Sequence, residues 1–379
     1  MGTGTGGDSD IAGVEDGRPE PAATDSSGGR IVALEGLRGV AVVAVIAYHL
    51  VWAAPGSAAR LARGGWVGVD VFLVLSGFGV GLSLLGELDR RGSVDAPRFW
   101  ARRLLRLCPV LWAFLAVMGA FTVVVDDVPF ARVRPSAVAS GLFWVNVPLA
   151  RGDYVTSVFG HLWTLAVEVH AYLLIPVLLV GLGALRVPRR WWGAAFASVA
   201  VAVMVGRWAT YDPAGSFLGP YVSTLTRLDT VLWGLALAAV FRGRRSEVDR
   251  RASAIAAAVG AVWLLVVARR VPLTSTWLYR WGLDANAVAV AALIAHLARW
   301  PRATGSRLLA TPPLRWLGAR SYGLYLYHYG LFLAVQHHVH AVRGWWAALL
   351  AVGLSLLAAE VSYRLVEQPA RRLLDRRPR

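Results

Sequence analysis

The chain has 379 residues, 56% of them hydrophobic and 16% charged, whereas charged residues make up roughly a quarter of an ordinary soluble protein. With a mean hydropathy of +0.53, this composition excludes a soluble globular chain and, over most of the length, disorder. Cys108 is the single cysteine, which excludes an internally disulfide-stapled scaffold. A net charge of +16 would suggest nucleic acid in a soluble protein, because basic surfaces gain from counterion release on phosphate backbones. Here the positive charge sits in short loops between apolar runs, which is the pattern of membrane topology. Every basic residue is arginine, a bias assigned to genome composition rather than mechanism.

Residues 1–29 carry Asp8, Asp10, Glu15, Asp16, Glu20 and Asp25 among Gly, Ser and Thr, and lack an apolar period. They are expected to form a disordered acidic tail, with residues 30–379 as the membrane-embedded domain. No basic segment precedes an apolar one, so the first span is expected to act as an uncleaved anchor.

Apolar runs follow near 37–54, 67–85, 104–125, 162–185, 191–209, 222–241, 252–268, 281–297, 322–338 and 345–365. Each is close to the ~20 residues that cross a ~30 Å hydrocarbon layer. The shorter run 137–149 is decided by arginine distribution. Counting it as a crossing would throw Arg186, Arg189 and Arg190, and the cluster 242–251, across the membrane from the other basic loops. The expectation is therefore an all-α polytopic membrane protein with about ten spans, both termini cytoplasmic, and 137–149 as a short buried or interfacial helix. No internal repeat is evident.

Ionisable residues inside spans are costly and usually face a bundle interior or a wet cavity. In LEGLRGVAVVAVIAYHL, Arg38 and His49 are eleven positions apart, so they share a helix face with roughly 16 Å of rise between them. The pair either lines one groove or consists of a snorkelling Arg and a His bonded to a carbonyl. GVDVFLVLSGF places Asp70 and Ser76 in the second span. Asp70 either orients the imidazole of His49 or is a helix N-terminal carboxylate favoured by the dipole.

RFWARRLLRLCPVLW carries Arg98, Arg102 and Arg106 as an i, i+4, i+8 stripe, with Arg103 beside it. Guanidinium forks suit a phosphorylated cofactor held at the membrane face, while composition alone favours topology and anionic lipid. Cys108 has no candidate base beside it and is expected to be a packed thiol. HLWTLAVEVHAYLLIP holds His161 and Glu168 on one face, with His170 off it. No metal-ligand spacing is present. RLDTVLWG brings Arg227 and Asp229, and SYGLYLYH brings Ser321 and His328. His337, His338 and His340 gather at the outer end of the ninth span. There is no P-loop, dinucleotide fingerprint or GxSxG elbow.

Taken in order, LEGLRGVAVVAVIAYH, GVDVFLVLSGF, RFWARRLLRLCP, HLWTLAVEVHAYLL, RLDTVLWG, SYGLYLYH and VEQPARRL resemble the successive motifs of the bacterial acyltransferase 3 family of integral-membrane O-acyltransferases. The resemblance implies transfer of an acyl group, commonly acetyl from cytosolic acetyl-CoA, to a hydroxyl of a sugar, polysaccharide or glycosylated natural product; no metal is expected, for want of ligand spacing. It maps R-x10-H onto Arg38 and His49, RxxxR onto Arg102 and Arg106, and the acid of W-S-L-x-x-E onto Glu168. Thr164 stands for the usual Ser, His170 departs from the pattern, and Glu35 replaces the commoner Asp. A fused SGNH-type domain is not expected, so a partner hydrolase or transferase would be a separate chain.

The expected mechanism has Arg38, Arg102 and Arg106 holding the phosphates of acyl-CoA. His49, with a reference pKa of ~6.5, then takes the acceptor's proton or carries the acyl group itself. Glu168 and Asp70 are expected to orient or charge-balance. The competing class is a glycan transporter or flippase, in which the same residues would line a proton or substrate path.

Overall fold

A bilayer leaves the backbone no hydrogen-bond partner but itself, so apolar runs of this length are obliged to be helical. The computed structural model describes residues 31–50, 62–243, 249–340 and 344–375, and every regular element among them is a helix. The expected tail, residues 1–29, lies outside the described residues. The main helices are α1 (Val32–Leu50), α2 (Val67–Arg91), α3 (Ala96–Val124), α4 (Phe130–Gly141), α5 (Trp163–Ala184), α6 (Trp192–Thr210), α7 (Thr224–Gly243), α8 (Arg250–Arg270), α9 (Leu283–Arg299), α10 (Pro312–His338), α11 (Trp345–Ser362) and α12 (Gln368–Asp375).

Local sequence sets the ends. Gly92, at φ 72°, closes α2 and returns its N–H to Leu88 O. Asp95 caps α3 by accepting from Arg98 N at 3.0 Å.

Nine helical stretches among the described residues are long and apolar enough to cross a membrane. The tenth expected span, α10, has the length at 27 residues. It falls outside that group because Arg315, Arg320, Gln336, His337 and His338 lower its hydropathy, and because its buried stretch is itself polar, with Ser321, Tyr325, Tyr327 and His328. The short run resolves into the end of α4 and a helical turn, Asn146–Arg151. The 12 residues of α4 give about 18 Å of rise, too little to cross.

The helix α2 is the axis of the bundle: 78% of its most apolar window is buried, against 22% in α8. Small residues let its backbone approach α7 closely. A Cβ on Gly77 would stand 2.0 Å from Val231 O, and one on Gly234 would stand 2.1 Å from Val74 O. The pair α1 and α10 meets in the same way, since a Cβ on Gly318 would lie 1.8 Å from Glu35 O.

Two polar devices mark the two ends. At one, Asp89 of α2 pairs with Arg242 of α7 at 2.7 Å and with Arg189 at 3.6 Å, so these arginine-rich ends lie together. At the other, a buried charge network joins α2, α6, α7 and α9. Arg207 binds Asp229 and, at 2.5 Å, Asp284, while Arg227 binds Asp70 at 2.5 Å. Asn286 donates to Asp70 at 2.9 Å, Trp233 donates to Asp284 at 2.8 Å, and Trp263 donates to Asn286 at 2.9 Å.

Candidate active site

A cavity of about 950 Å3 lies between α1, α2, α3, α5 and α10, with the end of α7 and with α12 contributing to its wall. Its lining follows α2 from Val69 to Arg90, an axial rise of roughly 32 Å at 1.5 Å per residue, so it extends through a depth comparable to a bilayer core. Among the described residues six arginines line it, Arg38, Arg90, Arg103, Arg106, Arg242 and Arg371, against three carboxylates, Glu35, Glu168 and Glu367. The helix position of each arginine puts the cationic side at one end, near the starts of α1 and α3 and the ends of α2 and α7.

Nε of Arg38 and Nε of Arg371 are buried without a hydrogen-bond partner among the described residues. Arg371 is also paired with Glu367 through Nη2, and the excess of guanidinium groups over carboxylates on the wall favours an anionic group in the cavity. Arg103 lies over the rings of Phe99 and Tyr172, 5.4 and 5.2 Å from their centroids. The cavity end is thus cationic with aromatic flanks.

Deeper in the cavity, Glu168 is held in place. Ser76 donates to its Oε1 at 2.6 Å, and the hydroxyl of Tyr172 donates to the same oxygen. Beyond it stand Phe72, Thr164 and Tyr325. Thr164 donates to the Tyr325 hydroxyl at 2.5 Å, and that hydroxyl donates to His161 O.

The sequence-derived site is partly assembled. Arg38, Arg106 and Glu168 line the cavity. Arg102 does not, and it is exposed. On a helix of 100° per residue, Arg102 and Arg103 lie on opposite sides of Arg106, and the cavity is on the Arg103 side.

Asp70 is not the partner of His49. It is fully buried, bonded to Arg227 and Asn286, and absent from the cavity wall. An apolar bundle holds a carboxylate only against a cation, and Arg227 is that cation.

His49 itself lies outside the large cavity and borders a small second pocket with His328, Phe332 and Ser355. The reason is α10, which is pressed onto α1 through Gly318 and covers the face of α1 beyond Arg38. Contact from the cavity to His49 runs through Tyr325, whose ring is 5.7 Å from that of His328, and through His328 Nε2, 3.2 Å from His49 Nδ1.

Sequence reasoning left His328, His161 and Tyr325 without roles. The SYGLYLYH and HLWT segments carried them, but nothing in spacing says that residues 161, 325 and 328 meet. His170 bonds Thr224 at 2.7 Å and lies against Trp144, away from the cavity. His338 pairs with Asp126 at 2.6 Å. No group of three or more potential metal ligands occurs among the described residues.

A family model described as an acyltransferase domain matches residues 31–364. Peptidoglycan O-acetyltransferase OatA of Listeria monocytogenes is 31% identical over 358 residues, covering 90% of this chain and 56% of OatA. The putative peptidoglycan O-acetyltransferase YrhL of Bacillus subtilis is 34% identical over 361 residues, covering 90% and 55%. A putative O-acetyltransferase of Staphylococcus aureus is 29% identical, covering 90% and 57%. The chain spans a little over half the length of these curated relatives. No solved structure matches it.

Proposed function

Because the chain belongs to the acyltransferase domain family, matched over residues 31–364, we propose that it moves an acyl group, acetyl in the first instance, from an acyl-CoA thioester to a hydroxyl of a cell-surface glycan. Peptidoglycan is the first candidate acceptor, since two of its relatives are named for it. The observation that carries the reading is the membrane-deep cavity, cationic at one end and reaching Glu168 and Tyr325 at the other.

In this reading the arginine end faces the cytosol, consistent with the positive-inside rule. Arg38, Arg103, Arg106 and Arg371, all on the cavity wall, bind the phosphates of the donor through charge-assisted bonds. The thin arm of the donor lies along α2 past Gly79, beside which a Cβ would meet no atom within 4 Å. Glu168, oriented by Ser76 and Tyr172, positions the arm near its acyl end.

His49 acts as the base. As the acceptor oxygen bonds to the acyl carbon, its proton passes to the imidazole, the carbon–sulfur bond breaks, and the proton is returned to the thiolate. Such a base contributes ~10²–10⁴ in rate. Tyr325 is the partition that the acyl group passes on its way to the acceptor.

The test uses purified protein in lipid vesicles with acetyl-CoA labelled in the acetyl group and soluble glycan strands. Label on the glycan, with free CoA released only when the glycan is present, is expected, and His49→Ala abolishes both. Movement of glycan across the vesicle membrane without thioester turnover would overturn the reading in favour of a transporter.

A further inference from the structure

Three imidazoles far apart in the chain come together behind Tyr325, and their hydrogen bonds assign their protons. Nδ1 of His328 lies 2.7 Å from Tyr325 O and 3.1 Å from Leu324 O. Carbonyl oxygens only accept, so this nitrogen carries the hydrogen and Nε2 of the neutral ring is a lone pair. That lone pair faces His49 Nδ1 at 3.2 Å.

The same His49 nitrogen lies 2.9 Å from Val45 O. Two acceptors converge on it, so His49 Nδ1 is the protonated nitrogen, its hydrogen shared between them. The lone pair of His49 is therefore on Nε2. The rest of the cage is aromatic. Tyr329 is 4.8 Å and Tyr48 is 5.1 Å from the His49 ring, centroid to centroid. His161 stands edge-on to His328 at 5.5 Å and is itself fixed, its Nε2 3.0 Å from Leu326 O.

We infer that His328 is the positioning residue for His49, fixing its tautomer and ring orientation so that Nε2 is the nitrogen that receives the acceptor's proton. The inference rests on the reading of His49 as the base. It gives His328 the place that the sequence suggested for Asp70. An acidic partner would bring a negative charge into the apolar bundle and need a cation to balance it, as Asp70 needs Arg227. A neutral ring acts as acceptor without that requirement.

The proton count is simple. The hydroxyl proton goes to His49 Nε2 while the oxygen–carbon bond forms and the carbon–sulfur bond breaks. The Nδ1 hydrogen stays shared between Val45 O and His328 Nε2 throughout, now from a charged ring and so in stronger bonds. The Nε2 proton then leaves with the thiolate. Rotation of His49 to present Nδ1 would place a hydrogen where the lone pair is needed, and the bond to His328 opposes that rotation.

The experiment compares His328→Phe, which keeps a ring without an acceptor, with His328→Gln, whose amide oxygen reaches about as far as Nε2. With wild-type-like melting in detergent, His328→Phe is expected to lower kcat by about 10²-fold, within the range a general base supplies, with the KM for acetyl-CoA unchanged. His328→Gln restores most of that loss. Adding His328→Phe to His49→Ala costs nothing further, because the two residues act as one unit.

If His49→Ala is inactive but His328→Phe turns over at the wild-type kcat, the positioning role is overturned while the function stands. If His49→Ala is fully active, it is the reading of His49 as base that fails. Should His328→Phe not fold, nitrogen NMR of histidine-labelled wild-type protein decides: hydrogen on Nδ1 of His49 is expected, and hydrogen on Nε2 overturns the inference.

Discussion

Asp70→Ala is expected to damage folding before it damages chemistry, and its cost follows from what the carboxylate touches. Arg227 is fully buried. Its Nη2 bonds Asp70 Oδ1 at 2.5 Å, and its Nε and Nη1 have no partner among the described residues. Asn286 Nδ2 donates to the other carboxylate oxygen at 2.9 Å. Removing the carboxylate orphans two donors and strands a cation, against the rings of Tyr221 at 5.4 Å and Trp163 at 6.0 Å. Breaking a buried pair from one side costs about 3–5 kcal/mol, a large share of the 5–15 kcal/mol by which a typical domain is stable.

The assay is a melting curve in detergent alongside turnover per folded molecule. Asp70→Ala should melt well below the wild type, and turnover normalised to folded protein should be largely kept. Removing both charges with Asp70→Ala and Arg227→Met should recover much of the lost stability, giving a large coupling term in the double-mutant cycle. An Asp70→Ala protein that melts like the wild type but has lost kcat would refute the argument and return Asp70 to the chemistry.

Gly79→Phe projects a ring into the cavity where a Cβ meets nothing within 4 Å, so it should block transfer while leaving the melting temperature unchanged. Arg106→Gln should raise the KM for acetyl-CoA roughly tenfold or more, since a bond to a charged group is worth about 1.5–3 kcal/mol; Arg102→Gln, at an exposed position, should leave it unchanged in the same titration. Phe72 borders the cavity and its ring is 6.4 Å from that of Tyr325. Phe72→Ala should enlarge the acyl end and raise turnover of butyryl-CoA relative to acetyl-CoA in a competition assay.

The membrane architecture was legible because hydrocarbon imposes one kind of secondary structure and one minimum length, both visible as apolar runs. Arg38, Arg106 and Glu168 were legible for a similar reason, as charges inside apolar helices have few places to point. Arg103 was not, because the stripe through Arg98, Arg102 and Arg106 describes helix periodicity but not which flank meets a cavity. The partner of Asp70 was hidden by distance along the chain, Arg227 being 157 residues away, while His49 lay closer in sequence and at a similar depth. His328 is 279 residues from His49, and its neighbours Tyr325 and Tyr327 made it look like one more member of an aromatic helix. The polarity of α10 that keeps it out of the most apolar group is the trace of this site in the sequence.

The charge network has a mechanical consequence. Sliding α2, α6, α7 or α9 past one another would separate Arg207 from Asp229 and Asp284, or Arg227 from Asp70, and leave buried charges without their partners. Those four helices are therefore locked to one another at that end of the bundle. The helices α1 and α10, which hold none of these pairs, are spared that restraint, so the side of the bundle that carries His49 and Tyr325 is the more compliant one.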